Sequence, residues 1–166
     1  MPMDPALEHI MAMSMKPYQA FPGQDHKAHI DAHLNFMRLN QTQNNPAAMA
    51  SLQKNILEHI SLMAQEQVQL EFVEELQEAQ MIQQQMQAMG MQNPAMAAGM
   101  MQNPQAMQAQ QRLQQITNQI ESRKAKLIAE MQEDFAKEEE KIMGEFGGDP
   151  LLRLKGREID LRAQEN

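Results

Sequence analysis

The sequence predicts an all-α protein built from elongated helical hairpins, and three observations lead to this prediction. Aromatic residues make up only 4% of the 166 residues, and the chain has no tryptophan. The apolar residues are mainly alanine and 18 methionines, which fill space adaptably but specify compact packing weakly. Most prolines follow Asp or Asn, and apolar residues recur at helical spacing between these pairs.

The Asx-Pro pairs predict where helices begin. An Asx side chain accepts the free amide protons of a helix's first turn, and proline at the first helical position loses no hydrogen bond there. The predicted helix starts are Asp4-Pro5, Asn45-Pro46, Asn93-Pro94, Asn103-Pro104 and Asp149-Pro150.

The N-terminal half divides into two predicted segments. Residues 1–24 form a short helix, which ends before Pro17, and a loop with two prolines and a glycine. Residues 25–89 form an antiparallel helical hairpin with a His-bearing apolar stripe. Its first helix ends near Leu39, the polar stretch NQTQNNP makes the turn, and the second helix runs from Ala47 to about Met89.

The C-terminal half divides into three predicted segments. Residues 90–104 are a flexible tip rich in Gln and Met, where glycines and Asn-Pro pairs interrupt any continuous helix. Residues 105–143 form a long coiled-coil-like helix with one narrow apolar stripe, in which Arg123 occupies an apolar position. Residues 144–166 contain a Gly-rich break and a basic amphipathic helix.

Charge and cysteine content argue against several classes of function. The formal net charge is −8, which disfavours general binding to nucleic acids or anionic membranes. The absence of cysteine removes disulfides, thiolate metal sites and thiol nucleophiles. No run of about 18 apolar residues predicts a membrane span, and no signal peptide is evident. We therefore expect assembly inside the cell, without a membrane.

The stretch QDHKAHIDAHLNFM, residues 24–37, most resembles a chemical site. At about 100° per residue, His26, His29 and His33 fall within roughly 60° of one another on a helix. The spacing of His29 and His33 is that of helical zinc sites, but Ile30 stands where the zincin motif requires Glu. The same side of this helix also carries other apolar residues: Ile30, Leu34, Phe36 and Met37.

We interpret these histidines as part of a helix-packing stripe, and predict no metal and no cofactor. A metal site formed by His26, His29 and His33 and a pH-sensitive interface are the alternatives. His59 recurs in the same pattern, I-x-x-H-(apolar)-x-x-M, and the tetrapeptide LEHI occurs at residues 7–10 and 57–60. The predicted packing interface comprises Ile30, His33, Leu34, Met37, Ile56, His59, Ile60, Met63, Leu113, Ile116, Ile120 and Leu127.

Other residue patterns give no indication of catalysis. The serines lie in helix-like surroundings without a recognisable base or oxyanion hole, and paired carboxylates such as Glu74 and Glu75 are typical of solvated helix faces. The methionines suggest Cu(I) binding as an alternative, but their spread along every helix favours packing. We therefore predict that the protein is not an enzyme.

Three stretches resemble a known family. AFPGQDHKAHIDAHLNFM, the later LEHISLMAQEQ and the terminal DPLLRLKGREIDLRAQEN are similar to C-terminal regions of portal proteins from tailed bacteriophages, of a kind common among marine phages. The resemblance covers roughly residues 18–66 and 149–163. It implies a helical crown or barrel on a twelve-subunit ring at one capsid vertex, through which DNA is packaged and later ejected.

The resemblance also implies the setting and partners of the chain. We expect a homo-oligomeric ring in the virion, assembled in the host cytoplasm, that contacts other portal or capsid segments and lets genomic DNA pass without sequence-specific contact. The wing, stem and clip of portals have no counterpart, so we expect an excised or separately encoded portion. Two alternatives stay open: a phage scaffolding protein, which is typically acidic and helical with a basic C-terminal module, and a helical metal-binding or interaction protein.

Overall fold

The computed structural model describes residues 2–89 and 103–146, and these residues form helices and no strands. The protein is therefore all-α, which confirms the predicted fold class. We number the described helices in chain order. They are α1 (Pro5–Met13), α2 (His26–Met37), α3 (Asn40–Gln43), α4 (Pro46–Glu71), α5 (Val73–Ala88) and α6 (Pro104–Phe146).

Three Asx-Pro pairs begin helices, as predicted. The side chain of Asp4 accepts a hydrogen bond from the backbone N–H of Ala6 at 2.8 Å, so it caps α1. Asn45 caps α4 and Asn103 caps α6 in the same way, each through its Oδ1 at 3.0 Å from a backbone N–H. The pairs Asn93-Pro94 and Asp149-Pro150 lie outside the described residues, as do most of the predicted tip (90–104) and of the C-terminal segment (144–166).

The predicted helix from Ala47 to Met89 is in fact two helices. Phe72 separates α4 from α5, and its backbone angles (φ −110°, ψ 31°) depart from the helical values. No proline or glycine lies near this break, so composition gave no signal for it. The predicted polar turn is also more structured than expected, because it contains the single helical turn α3.

The described chain falls into two compact units. The first comprises Met1–Met63 and Ala129–Asn166, and the second comprises Ala64–Ile128. In the first unit α2 and the beginning of α4 run antiparallel, because His26 lies against His59 while His33 lies against Asn55. Apolar side chains of both helices make the core here: Leu34, Met37, Ala48, Leu52, Ile56 and Ile60 are buried.

The end of α6 completes the first unit. Gln53 of α4 donates a hydrogen bond to Glu139 of α6 at 2.6 Å, and Arg38, just after α2, pairs with Glu145 at 3.1 Å. Phe135 and Ile142 are buried on the same helix. The last turns of α6 therefore pack against the antiparallel pair that carries all of the histidines of α2 and α4.

In the second unit the end of α4 and all of α5 run antiparallel to the first part of α6. Arg123 pairs with Glu71 and Arg112 pairs with Glu78. The ion pair explains why Arg123 occupies a position in the apolar stripe of α6. Within that stripe Ile116 and Leu127 are buried, whereas Leu113 and Ile120 are half-buried. The coiled-coil character of α6 stays a prediction.

A search of the described helices for a membrane span found none that is long and apolar enough to cross a bilayer.

Candidate functional site

The five histidines of the chain meet inside the first unit. His26, His29 and His33 lie on one side of α2, at the spacings of three and four residues that bring side chains together on a helix. His59 of α4 faces them, with its ring centroid 4.8 Å from that of His29. His9 of α1 approaches from a third helix, and its ring centroid is 5.0 Å from that of His33.

A buried glutamate lies among these rings. Glu8 of α1 has 0% exposure, and its Oε2 is 3.0 Å from His33 Nε2 and 3.2 Å from His29 Nδ1. His59 belongs to the same group, because one ligand atom from each of the four residues lies within 4.8 Å of every other. We call Glu8, His29, His33 and His59 the His/Glu cluster.

Two further histidines support the cluster from outside. The Nδ1 of His33 is 2.9 Å from His9 Nε2, and the Nδ1 of His59 is 2.8 Å from His26 Nδ1. His9 is itself fixed by stacking on Phe36, with ring centroids 4.1 Å apart and planes 9° from parallel. Each outer histidine thus bonds one ring nitrogen of a cluster histidine, and this bond holds the orientation of that ring.

Burial and neighbouring charges shift the acidity of the cluster. Burial, followed by the charge of neighbouring histidines, lowers the pKa of His59 and of His9 to about 4. Burial alone would raise the pKa of Glu8, but hydrogen bonds from His33 and His29 outweigh it, so the Glu8 pKa lies below its ordinary value. Near neutral pH, Glu8 is therefore ionised while His59 and His9 are neutral.

Several buried polar atoms of the site have no hydrogen-bond partner within the described structure. They include Glu8 Oε1, His59 Nε2 and Asn55 Nδ2. Asn55 Oδ1 is 2.9 Å from His33 Nε2, so this amide also borders the cluster. Buried polar groups in native proteins are nearly always paired, which makes unpaired atoms of a carboxylate and an imidazole at one place informative.

The structure places the predicted site residues as follows. Of the three histidines that formed the alternative metal site, His29 and His33 are in the His/Glu cluster, and His26 contacts it through His59. The residues of the predicted packing interface are all buried or half-buried. His33 and His59 therefore both pack between helices and expose ring nitrogens to the cluster.

Sequence reasoning did not single out Glu8 or His9. Both lie in the first LEHI tetrapeptide, whose repetition at residues 57–60 was noted without a role for it. The signal was available in principle, because both copies carry a Glu-His pair and only one of the two pairs lay in the predicted hairpin. What could not be predicted is that α1 folds back onto α2.

The described chain is thus an all-α protein with a buried His/Glu cluster where three helices meet. Comparison of the chain with protein-family models, with curated proteins and with solved structures found no match in any of the three. The resemblance to phage portal proteins consequently stays a prediction.

Proposed function

We propose that this chain is a non-enzymatic assembly protein, the C-terminal crown or barrel portion of a tailed-phage portal whose copies form a ring for DNA packaging and ejection. One observation carries the assembly part of the proposal. None of the 16 residues of α5, all of which the structure describes, is buried. A helix of this length gains most of its stability by packing an apolar face, so α5 requires a partner surface.

Two large apolar side chains of α5 point away from its neighbour in the second unit. The bidentate contact of Arg112 with Glu78, at 2.7 and 2.8 Å, marks the side of α5 that faces α6. Val73 and Leu76 lie on the opposite side of α5, three residues apart, with exposures of 44 and 39%. Two neighbouring large apolar side chains on the exposed side of a helix are a surface for another helix, and copies of the same chain supply it in a symmetric assembly.

The charge of the chain suits a ring around passing DNA. A net charge of −8 disfavours tight contact with phosphates, which a channel for moving DNA must avoid. The stretches AFPGQDHKAHIDAHLNFM and LEHISLMAQEQ, which resemble portal C-terminal regions, include His26, His29, His33 and His59. These two features support our proposal of a portal among the possible helical assemblies.

The mass of the purified protein in solution tests this proposal. We expect light scattering and native mass spectrometry to give one closed, ring-sized multimer. A monomer at micromolar concentration would contradict assembly. A monomer in equilibrium with dimers or tetramers would instead favour a scaffolding protein, and so would a gene located between those of a portal and a coat protein.

A pair of variants tests whether the exposed side of α5 is the contact. Val73→Glu combined with Leu76→Glu places two charges on that surface, and we expect the multimer to dissociate. The matched control is Gln108→Glu with Gln111→Glu, which adds the same charge at exposed polar positions of α6. Equal multimer mass for the two double variants, with unchanged helix content, would show that α5 is not the interface.

A further inference from the structure

We propose that Glu8, His29, His33 and His59 bind one divalent transition-metal ion with the coordination preferences of zinc. The proposal is independent of the assembly described above, because all four residues belong to the first unit of a single chain. It rests on the geometry of the ligand atoms, on the contacts behind them, on unpaired buried atoms and on the unusual orientation of α1.

The distances between ligand atoms fit a tetrahedral site. Four ligands at about 2.0 Å from a zinc ion are separated from one another by about 3.3 Å. Glu8 Oε2 is already 3.0 Å from His33 Nε2 and 3.2 Å from His29 Nδ1. All four ligand atoms lie within 4.8 Å of one another, so small side-chain rotations bring them to the separations that the ion requires.

The contacts behind the imidazoles are those of metal-binding histidines. A ligating histidine usually donates its other ring N–H to a second group, which fixes the nitrogen that faces the metal. His33 uses Nδ1 toward His9, which leaves its Nε2 facing Glu8. His59 uses Nδ1 toward His26, which leaves Nε2 for the ion.

Two atoms in the cluster are buried with no hydrogen-bond partner among the described residues. They are Glu8 Oε1 and His59 Nε2, and both residues have 0% exposure. Full burial of a carboxylate oxygen and an imidazole nitrogen without partners is costly unless a ligand satisfies them. A cation at the cluster would bond His59 Nε2 and balance the charge of Glu8.

The orientation of α1 gives an independent reason. This helix buries Glu8 and Ala12, yet it leaves Leu7 52% exposed and Ile10 62% exposed. An ordinary amphipathic helix turns its apolar side inward. Since α1 has only nine residues, it needs strong tertiary contacts, and a metal ion bound to Glu8 supplies one.

The donor set indicates which ions fit. Three imidazoles and one carboxylate suit zinc and its neighbours in the first transition row, whereas calcium and magnesium require oxygen ligands. Four protein ligands without an open position are typical of a structural site. The ion would therefore join α1, α2 and α4 rather than activate a water molecule.

Metal binding to the full chain is the first test. The protein is treated with a chelator, freed of the chelator, and dialysed against micromolar Zn²⁺ or Co²⁺. We expect one ion per chain and, with Co²⁺, the intense visible absorption of tetrahedral coordination. Binding well below one ion per chain, or the weak spectrum of octahedral Co²⁺, would overturn the proposal.

Variants of the two LEHI copies provide matched controls. We expect Glu8→Gln to weaken Zn²⁺ binding at least about 100-fold, and Glu58→Gln to leave it unchanged. The outer variant His9→Gln should weaken binding about 10-fold, as expected for a group behind a ligand. Equal affinity for Glu8→Gln and Glu58→Gln, with equal helix content, would refute the site.

A measurement on the unaltered chain covers the case in which a variant fails to fold. Long-range ¹⁵N spectra of the histidine rings, recorded with and without Zn²⁺, identify the nitrogens that bind the ion. We expect large shifts at His29 Nδ1, His33 Nε2 and His59 Nε2. The absence of zinc-dependent ¹⁵N shifts at these three nitrogens would also refute the site.

Discussion

The two copies of LEHI, residues 7–10 and 57–60, lie in the same unit but bury different residues. In the first copy Glu8 is fully buried while Leu7 and Ile10 are exposed. In the second copy His59 and Ile60 are buried, and Glu58 is half-buried, accepting a hydrogen bond from the backbone N–H of Ala20 at 2.9 Å. Identical tetrapeptides thus deliver a carboxylate to the cluster in one case and an imidazole in the other.

The difference teaches that the neighbouring helix, rather than the local sequence, assigns the role. The copy in α4 lies in a helix of 26 residues whose apolar side fixes which residues turn inward. The copy in α1 lies in a helix of only nine residues, which has a weaker preference of its own for which side is buried. The His/Glu cluster can therefore determine which side of α1 is buried. Substitutions at matched positions of the two LEHI copies test this comparison.

The largest expected difference between the copies appears in the presence of zinc. An ion that binds only the folded state at about 1,000 times its dissociation constant stabilises it by about 4 kcal/mol. Glu8→Ala, with binding at least about 100-fold weaker, should reduce this gain to about 1.4 kcal/mol or less, and Glu58→Ala should retain it in full. Urea unfolding with and without Zn²⁺ measures both. A zinc-dependent gain of similar size in both variants would remove the distinction between the copies.

Without metal, substitutions of Glu8 and Glu58 should still lower the free energy of unfolding by different amounts. Glu8→Ala leaves His29 Nδ1 without its buried acceptor and removes one of the two acceptors of His33 Nε2, the other being Asn55 Oδ1, so we expect a loss of about 2–3 kcal/mol. Glu58→Ala removes one hydrogen bond at the edge of the unit, for about 1 kcal/mol. Urea unfolding of the chelator-treated variants gives both values. Equal losses of unfolding free energy would mean that the buried Glu8 contributes no more to stability than the half-buried Glu58.

His59, a member of the His/Glu cluster, and His9, which lies outside it, provide a smaller contrast. His59 is fully buried, and His59→Leu removes both the unpartnered Nε2 and the Nδ1 that bonds His26. His9→Leu likewise removes the Nε2 that bonds His33. Each change leaves one imidazole nitrogen of a buried neighbour unpaired, so we expect a similar cost of about 1–3 kcal/mol for both variants without metal. With Zn²⁺, only the His9 variant should keep a measurable gain. A zinc-dependent gain of equal size in both variants would show that His59 is not a ligand.

Much of the fold could be predicted because its signals are local. The capping side chains of Asp4, Asn45 and Asn103 each act within three residues, so the helix starts are encoded where they occur. The break at Phe72 has no such local signal. Arg123 stands in the apolar stripe of α6 because it pairs with Glu71, 52 positions away, which a periodic pattern cannot reveal.

The site could be predicted only in part for the same reason. The spacing of His29 and His33 places them on one side of α2, and His59 recurs in a matching pattern. Glu8 joins them from a separate helix across a loop, and its contact with His29 spans 21 positions. Sequence periodicity shows which residues share a face, whereas the partner of that face depends on tertiary packing.

The smallest expected effect concerns a carboxylate that is not enclosed, Glu71 of the second unit. Hydrogen bonds from Arg123, and then from Gln67, lower its pKa from the ordinary 4.5 to about 2. The stabilising contribution of this pair is therefore complete above about pH 4.5 and is lost as the pH falls toward 2.

Carboxyl NMR titration should report this low pKa for Glu71, and Arg123→Gln should return it toward 4.5. Because the pair faces solvent, 1 M salt should also raise the Glu71 pKa, whereas salt should barely affect the buried Glu8. A Glu71 pKa that does not respond to salt would show that this pair is as enclosed as the His/Glu cluster. The contrast between a buried and an exposed carboxylate would then no longer explain why we propose Glu8, and not Glu71, as a metal ligand.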